Sequence, residues 1–280
     1  MPALTEHQST KIIKLLLVGD PGTGKTSALA SLVKAGYRLR IMDFDNLLTP
    51  LVRRLSAEER KLVSFVPFRD KLVGTDAGMM VQGTPKALTE ASKMLNRWKD
   101  ATEDLGNPAE WGDKCIVVLD SLSRARDAAM AWGDFITPSG KGGKDGRAIV
   151  GEAQRAITPI LQTLTADAFR TNVIVIAHGT YLDLPDGTKK IYPQGVGQKL
   201  TPKIPQYFPN YIRYKNKNGK RTIQLESDSM IDLANTRPGF LNKELDISTG
   251  LAEFFGALRD GAPKEGETPK PKSVTLVRKS

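Results

Sequence analysis

The sequence predicts an α/β fold, a mostly parallel central sheet with helices on both faces, and three observations carry that prediction. Short apolar runs recur at Ile12–Val18 (broken by Lys14), Cys115–Leu119 and Thr171–Ala177, as in strands buried on both sides. Stretches with helical spacing lie between them, and strands alternating with helices of ten or more residues build parallel sheets. The first apolar run also leads directly into a glycine-rich loop and then into helix-forming residues, a strand–loop–helix order.

The elements follow in chain order. Residues 1–10 form a polar arm, and Lys11–Val18 is the first strand. After the glycine loop, Lys25–Ala35 continues as a helix, and Arg38–Phe44 is a second strand. Leu47–Leu62 reads as one helix with Arg53, Arg54, Glu58, Glu59 and Arg60 on its outer side, followed by a short strand, Ser64–Phe68. Pro85–Asp100 repeats Leu88, Ala91, Met94, Leu95 and Trp98 at helical spacing, with proline in its first turn. Cys115–Leu119 is a strand and Ser121–Ala131 a helix; Thr171–Ala177 is a further strand. Gly133–Arg147 and Gly179–Lys203 show no periodicity and read as long irregular loops, which inside a compact domain are functional or disordered. Asn210–Leu225 reads as a hairpin turning at Asn218-Gly219, and Thr249–Leu258 as a last short helix. The expected organisation is therefore one α/β domain over residues 11–259, with a C-terminal hairpin region. A basic tail without fixed structure occupies residues 260–280.

Composition narrows the function classes. The chain has 280 residues, 40% of them hydrophobic, enough for one large core. No apolar run is long enough to span a bilayer and no signal-peptide pattern is visible, so a cytoplasmic protein without a membrane partner is expected. A single cysteine, Cys115, excludes a disulfide framework and a cysteine zinc cluster. Two histidines, His7 and His178, leave little for a histidine metal site. Forty-one Lys and Arg against 31 Asp and Glu give a net charge of +10, which favours polyanionic partners, nucleic acid first and an anionic membrane surface second.

Gly19-Asp20-Pro21-Gly22-Thr23-Gly24-Lys25-Thr26, followed by Ser27, matches G-x-x-x-x-G-K-[ST] in full. It sits after a strand and opens a helix, the context that motif requires. Its glycines let backbone N–H groups close around phosphates at a helix N-terminus. Lys25 then reaches the β- and γ-phosphates of ATP, and the Thr26 hydroxyl coordinates Mg²⁺. Asp120 ends the apolar strand Cys115–Leu119, where such proteins hold the Mg²⁺ shell; the competing role is to cap the next helix. The chain runs Asp120-Ser121-Leu122-Ser123. It therefore has neither a glutamate directly after the aspartate nor a D-x-x-G switch there, which argues against a GTPase.

The second strand ends Asp43-Phe44-Asp45-Asn46, and here the chain resembles the RecA family, whose corresponding strand ends in an acid that orients the attacking water. The resemblance assigns that role to Asp45, an aspartate where the family commonly has glutamate. Asp43 reads better as a cap of the helix expected to begin near Asn46. Val173–His178 resembles the strand with which RecA-like proteins sense the γ-phosphate, and its Ala177-His178 end is similar to that of phage single-strand annealing proteins. The resemblance implies that His178 relays the nucleotide state. It also places DNA-binding loops at the two irregular stretches. There Lys141, Lys144 and Arg147 lie near Trp132 and Phe135, and Lys189, Lys190 and Lys199 near Tyr181 and Tyr192. Cations that track a phosphate backbone and aromatics that stack on bases suit single-stranded DNA; solvated surface loops are the competing reading. Asn235-Thr236-Arg237-Pro238-Gly239 resembles the K-x-R-x-G segment of RecA-like ring ATPases, which implies that Arg237 acts on a neighbouring subunit's nucleotide. The basic hairpin residues Arg213, Lys215, Lys217, Lys220 and Arg221 form either a solvated tip or an extension of the DNA track.

The resemblance, covering roughly Lys11 to Leu258, implies a RecA-fold ATPase with ATP and Mg²⁺ as cofactors. It further implies a homo-oligomeric ring or filament that holds single-stranded DNA in phage-type recombination or annealing, with a single-strand-binding protein as a possible loading partner. A helicase-type motor, a P-loop kinase and a nucleotide-dependent scaffold remain the alternatives.

Overall fold

The computed structural model describes residues 11–76, 78–99, 103–140, 143–235 and 239–260. The polar arm, the tail beyond residue 260, Lys141 and Arg237 lie outside the described residues. β1 (Lys14–Gly19) runs into α1 (Lys25–Lys34) and returns as β2 (Arg38–Asp43), after which α2 (Thr49–Val52) and α3 (Ala57–Arg60) lead to β3 (Val63–Pro67). A small hairpin, β4 (Leu72–Thr75) and β5 (Gly78–Val81), precedes α4 (Ala87–Asn96). A second one, β6 (Trp98–Lys99) and β7 (Asp104–Gly106), follows it. β8 (Gly112–Asp120), α5 (Leu122–Ile136), α6 (Gly146–Thr165) and β9 (Thr171–Asp183) complete the middle of the chain. Then come β10 (Lys189–Pro193), α7 (Gly197–Leu200), β11 (Asn210–Lys217), β12 (Lys220–Gln224), β13 (Glu244–Asp246) and α8 (Gly250–Asp260).

The main sheet has the order β13-β12-β11-β1-β9-β8-β2-β3, with β10 added to the far end of β9. From β11 to β3 every pairing is parallel; β12 and β13 turn antiparallel at one side. Strand periodicity sorts the apolar side chains onto two faces. Leu16, Val18, Val117, Leu119, Val173 and Val175 pack with α4, α5 and α6. Leu15, Leu17, Ile116, Val118, Ile174 and Ile176 pack with α1 and α8. The mostly parallel α/β sheet with helices on both faces is therefore the observed fold. No helix among the described residues is long and apolar enough to cross a membrane.

Several expectations give way. Leu47–Leu62 is two single-turn helices, because Ser56 starts a new one through a capping box: Glu59 N donates to Ser56 Oγ (3.3 Å) and Ser56 N to Glu59 Oε2 (2.7 Å). The helix expected over Pro85–Asp100 ends at Asn96, where Arg97 turns extended, so Trp98 is buried from a strand instead. Gly133–Arg147 is helical at both ends, since α5 runs on to Ile136 and α6 begins at Gly146. The twenty-residue α6 carries Pro159 in its interior and two glycines near its start, breakers that mask its buried series Ala153, Ile157, Ile160, Leu161 and Leu164. Gly179–Lys203 is not a loop either: β9 continues to Asp183 and pairs antiparallel with β10. The turn signal was Asp186-Gly187, with Gly187 at φ +80° and Leu184 N bonding to Thr188 O (2.8 Å). The hairpin β11–β12, turning at Asn218 and Gly219 with φ +53° and +83°, is not appended to the core, because β11 pairs directly with β1.

Two features of the core yield tests. α5 and α6 cross so closely that a Cβ at Gly133 would lie 2.4 Å from the Ile149 carbonyl oxygen. Gly133→Ala is expected to cost about 2 kcal/mol, read as a lowered denaturant midpoint with an unchanged slope. Lys14, the polar break in the first strand, is buried, with Nζ donating to the carbonyls of Phe169 (2.5 Å) and Thr171 (2.9 Å). Burial pulls its pKa from the ordinary 10.5 down to about 7, against the opposing pull of Asp167. Between those values the unfolded chain holds the proton and the folded chain does not, so this contribution to stability grows as pH rises. The stability of the wild type relative to Lys14→Met should therefore increase from about pH 7 to 10 in denaturant titrations; a flat difference would exclude it.

Candidate nucleotide and metal site

The parallel registers bring the singled-out residues to one edge of the sheet. Gly19 pairs with His178, Asp120 with Ile176, and Asp43 with Asp120. Loops leaving the carboxyl ends of parallel strands form the crevice where open α/β sheets bind ligands. The phosphate loop bridges β1 and α1. Gly24, at φ +91°, takes the N-cap position, and α1 has neither a side-chain cap nor an acid in its first turn. Its leading N–H groups are thus left for an anion. Thr23 closes the loop through Oγ1 to the Asp20 carbonyl (2.8 Å), and Ser27 Oγ bonds back to the Gly24 carbonyl (2.9 Å). Pro21 and Gly22 face solvent. Lys25 is buried and folded onto its own loop, Nζ donating to the carbonyls of Gly19 (2.6 Å) and Asp20 (3.0 Å). Burial lowers its pKa to about 8 despite the nearby charges of Asp120, Asp20 and Asp45.

Asp120 is buried at the end of β8 and accepts the Thr26 hydroxyl on Oδ2 (2.8 Å), while its Oδ1 is buried without a partner. Burial first, then repulsion from Asp45 and Asp43, raises its pKa to about 7. The helix-capping role falls to its neighbour: Ser121 is the N-cap of α5, accepting from Arg124 N. An orphaned carboxylate oxygen beside a threonine hydroxyl fits Mg²⁺, which is bound through one or two protein groups plus phosphates. It does not fit a dedicated protein cage, and among the described residues no group of three or more His, Cys, Asp or Glu could hold a metal ion.

Asp45 approaches the same point from β2. Its Oδ1 accepts the Ser121 hydroxyl (2.9 Å) and lies 3.7 Å from Arg124 Nε, while Oδ2 lies 3.6 Å from His178 Nε2. Burial would raise this carboxyl, but hydrogen bonds from His178 and Ser121 and the charges of His178 and Arg124 bring it below the ordinary value. Asp43 does not cap a helix, since α2 begins only at Thr49 with Leu48 as its N-cap; it closes the turn ahead of α2 by accepting Asn46 N (2.7 Å) and lies 3.5 Å from Arg69. The His178 backbone N–H donates to Ser123 Oγ (2.9 Å). Ser121, Ser123 and Arg124, all in the first turn of α5, thus brace Asp45 and His178. Sequence reasoning registered Ser121 only as a missing glutamate, and their side-chain spacing carries no motif.

The expected DNA-binding residues are less uniformly placed. Lys144 pairs with Asp134 (3.1 Å), Lys189 with Asp183 (3.6 Å) and Lys190 with Asp232. At these three positions the cations are ion-paired. Arg147 opens α6, Lys199 lies exposed in α7, and half-buried Trp132 packs its ring 6.1 Å from that of Phe135. Tyr181, on the β9 extension, donates its hydroxyl to Asp20 Oδ2 (3.1 Å), joining the β9–β10 hairpin to the phosphate loop.

A family model described as an AAA domain matches residues 11–236. No curated protein matches the chain. Among solved structures, the assembled ATPase EscN with its central stalk EscO, from the type III secretion system of enteropathogenic E. coli, aligns at 12% identity and a TM-score of 0.39. That alignment covers 75% of this chain and 44% of that one. A prototypical ATPase from the type III secretion system of pathogenic bacteria aligns at 10% identity and a TM-score of 0.39, covering 72% and 51%. The chain thus spans about half the length of these structures.

With Asp120 as a metal ligand beside Thr26, Asp120→Asn should lose less ATP affinity than the wild type when EDTA replaces Mg²⁺. Calorimetric titration in both buffers checks this, and an undiminished Mg²⁺ effect in the variant would move the metal elsewhere.

Proposed function

The chain belongs to the AAA domain family of P-loop ATPases, and from that premise we propose that it hydrolyses ATP·Mg²⁺ to control its hold on single-stranded DNA. In this reading it works as a homo-oligomeric ring or filament in phage-type recombination or strand annealing. The observation that carries the ATPase reading is the orphaned Asp120 Oδ1 beside Thr26, below a helix N-terminus with no cap of its own. Asp45 is held close by, through Ser121.

Thr26 and Asp120 would hold the Mg²⁺ of the nucleotide, which would supply neutralisation of phosphate charge there. Lys25 exchanges two loop carbonyls for phosphate oxygens, a gain because a cation bonds more strongly to an anion than to a neutral carbonyl. The N–H groups of Gly22 to Ser27 surround the phosphates. Asp45, with its lowered pKa, stays ionised and accepts a hydrogen bond from the attacking water, orienting it. His178 sits beside Asp45, so a change in charge at the γ-phosphate reaches β9. Asp20 and Tyr181 give the same strand a second link to the loop, and the hairpin beyond carries Lys189 and Lys190. Their carboxylate partners are exposed, so phosphate can replace them at little cost. Arg237 is assigned to the neighbouring subunit's nucleotide, which makes turnover depend on assembly.

The test is ATP hydrolysis with single-stranded DNA, duplex DNA or none, with Lys25→Ala as the blank. Stimulation by single strands over duplex is expected. Asp45→Asn should lower kcat by roughly 10²–10⁴-fold while ATP binding persists. Turnover indifferent to DNA would leave an ATPase without the DNA role, and full activity in Asp45→Asn would place the base elsewhere.

A further inference from the structure

The side chains assigned to the metal and the attacking water lie with His178 on one side of the phosphate-loop strand. His178, Asp120 and Asp45 come from β9, β8 and the end of β2, whereas β11, β12 and β13 lie on the other side of β1. A triphosphate with its γ end at Asp120 and Asp45 therefore leads its nucleoside toward β11–β13.

On that side the phosphate loop has a built wall. A Cβ at Gly24 would lie 2.4 Å from Ile247 Cδ1 and 3.5 Å from Arg221 Cδ, so the missing side chain lets both residues close on the loop. Ile247 is buried and apolar. Arg221 lays its stem against the loop, yet it is exposed and no hydrogen bond or ion pair holds its guanidinium among the described residues. Of the neighbouring cations, Arg213 lies 3.6 Å from Asp228, and Lys215 lies 3.3 Å from Asp228 and 3.9 Å from Glu244, while Lys217 and Lys220 are exposed like Arg221 but carry a point charge instead of a planar guanidinium. The nearby acid, Asp246, which feels Lys220 and Arg54, is committed to its own turn through Ser248 N (2.7 Å).

We propose that Arg221 and Ile247 form the nucleoside subsite, Arg221 stacking its planar guanidinium on the base of a purine nucleotide above the apolar Ile247. Arginine stacks on flat π-systems while keeping its charge in water, and a free planar cation beside an apolar wall offers both halves of that contact. The proposal rests on the phosphate-loop reading above.

Calorimetry with ATP and with inorganic tripolyphosphate, both with Mg²⁺, separates the two. Arg221→Ala should weaken ATP by roughly tenfold and leave tripolyphosphate within about twofold, with Arg221→Lys intermediate; Lys25→Ala should weaken both ligands. Equal weakening of both by Arg221→Ala would make Arg221 a phosphate contact and overturn the subsite, as would unchanged ATP affinity. A wild type that binds neither ligand would fail the phosphate-loop reading itself, and the subsite with it.

Discussion

The register of four parallel strands, β1, β9, β8 and β2, is the constraint on which the rest of the structure depends. It sets Gly19 beside His178 and Asp120 beside Asp43, so that one edge of the sheet receives the phosphate loop and every carboxylate near it. A slip of one residue would turn each side chain to the opposite face, carrying Asp120 away from Thr26. Burial on both faces makes such a slip costly, because the apolar residues of β1, β8 and β9 are divided between two separate cores.

Within that edge the electrostatics are uneven, and the unevenness localises function. Three aspartates share a small, partly buried volume with one lysine. Asp43 has a backbone N–H and Arg69; Asp45 has Ser121, His178 and Arg124. Asp120 has only the Thr26 hydroxyl and leaves one oxygen without a partner. Burial raises the pKa of both Asp43 and Asp120, but only at Asp120 is a carboxylate oxygen left without a partner, which concentrates the demand for a cation there. Lys25 meets the complementary shortage, its charge resting on two neutral carbonyls until an anion arrives.

The first turn of α5 holds this arrangement together. Ser121 caps the helix and bonds Asp45, while Ser123 takes the His178 backbone N–H. One turn thus fixes the end of β2 and the His178 position of β9 relative to Asp120. The β9–β10 hairpin extends the connection outward through Tyr181 and Asp20, so the phosphate loop and the surface beyond it share one continuous strand.

The phosphate loop, its strand and helix, the alternation behind the parallel sheet and the hairpin at Asn218-Gly219 were all legible in the chain, because each rests on local geometry and short-range periodicity. So was the placement of Asp120 at the end of β8 and of Asp45 just past β2, whereas His178, expected at a strand end, lies within β9, which runs on to Asp183. The length of α6 and the β9–β10 hairpin were not, since glycines and Pro159 look like breakers until packing against the sheet outweighs their local cost. The pairing of Lys144, Lys189 and Lys190 with Asp134, Asp183 and Asp232 was equally hidden. By itself the sequence determined that a nucleotide-type loop sits on a parallel sheet. Only the tertiary structure decided which carboxylate is left short of partners, which cations are already taken and which wall closes on Gly24, because each depends on side chains brought together from strands far apart in the chain.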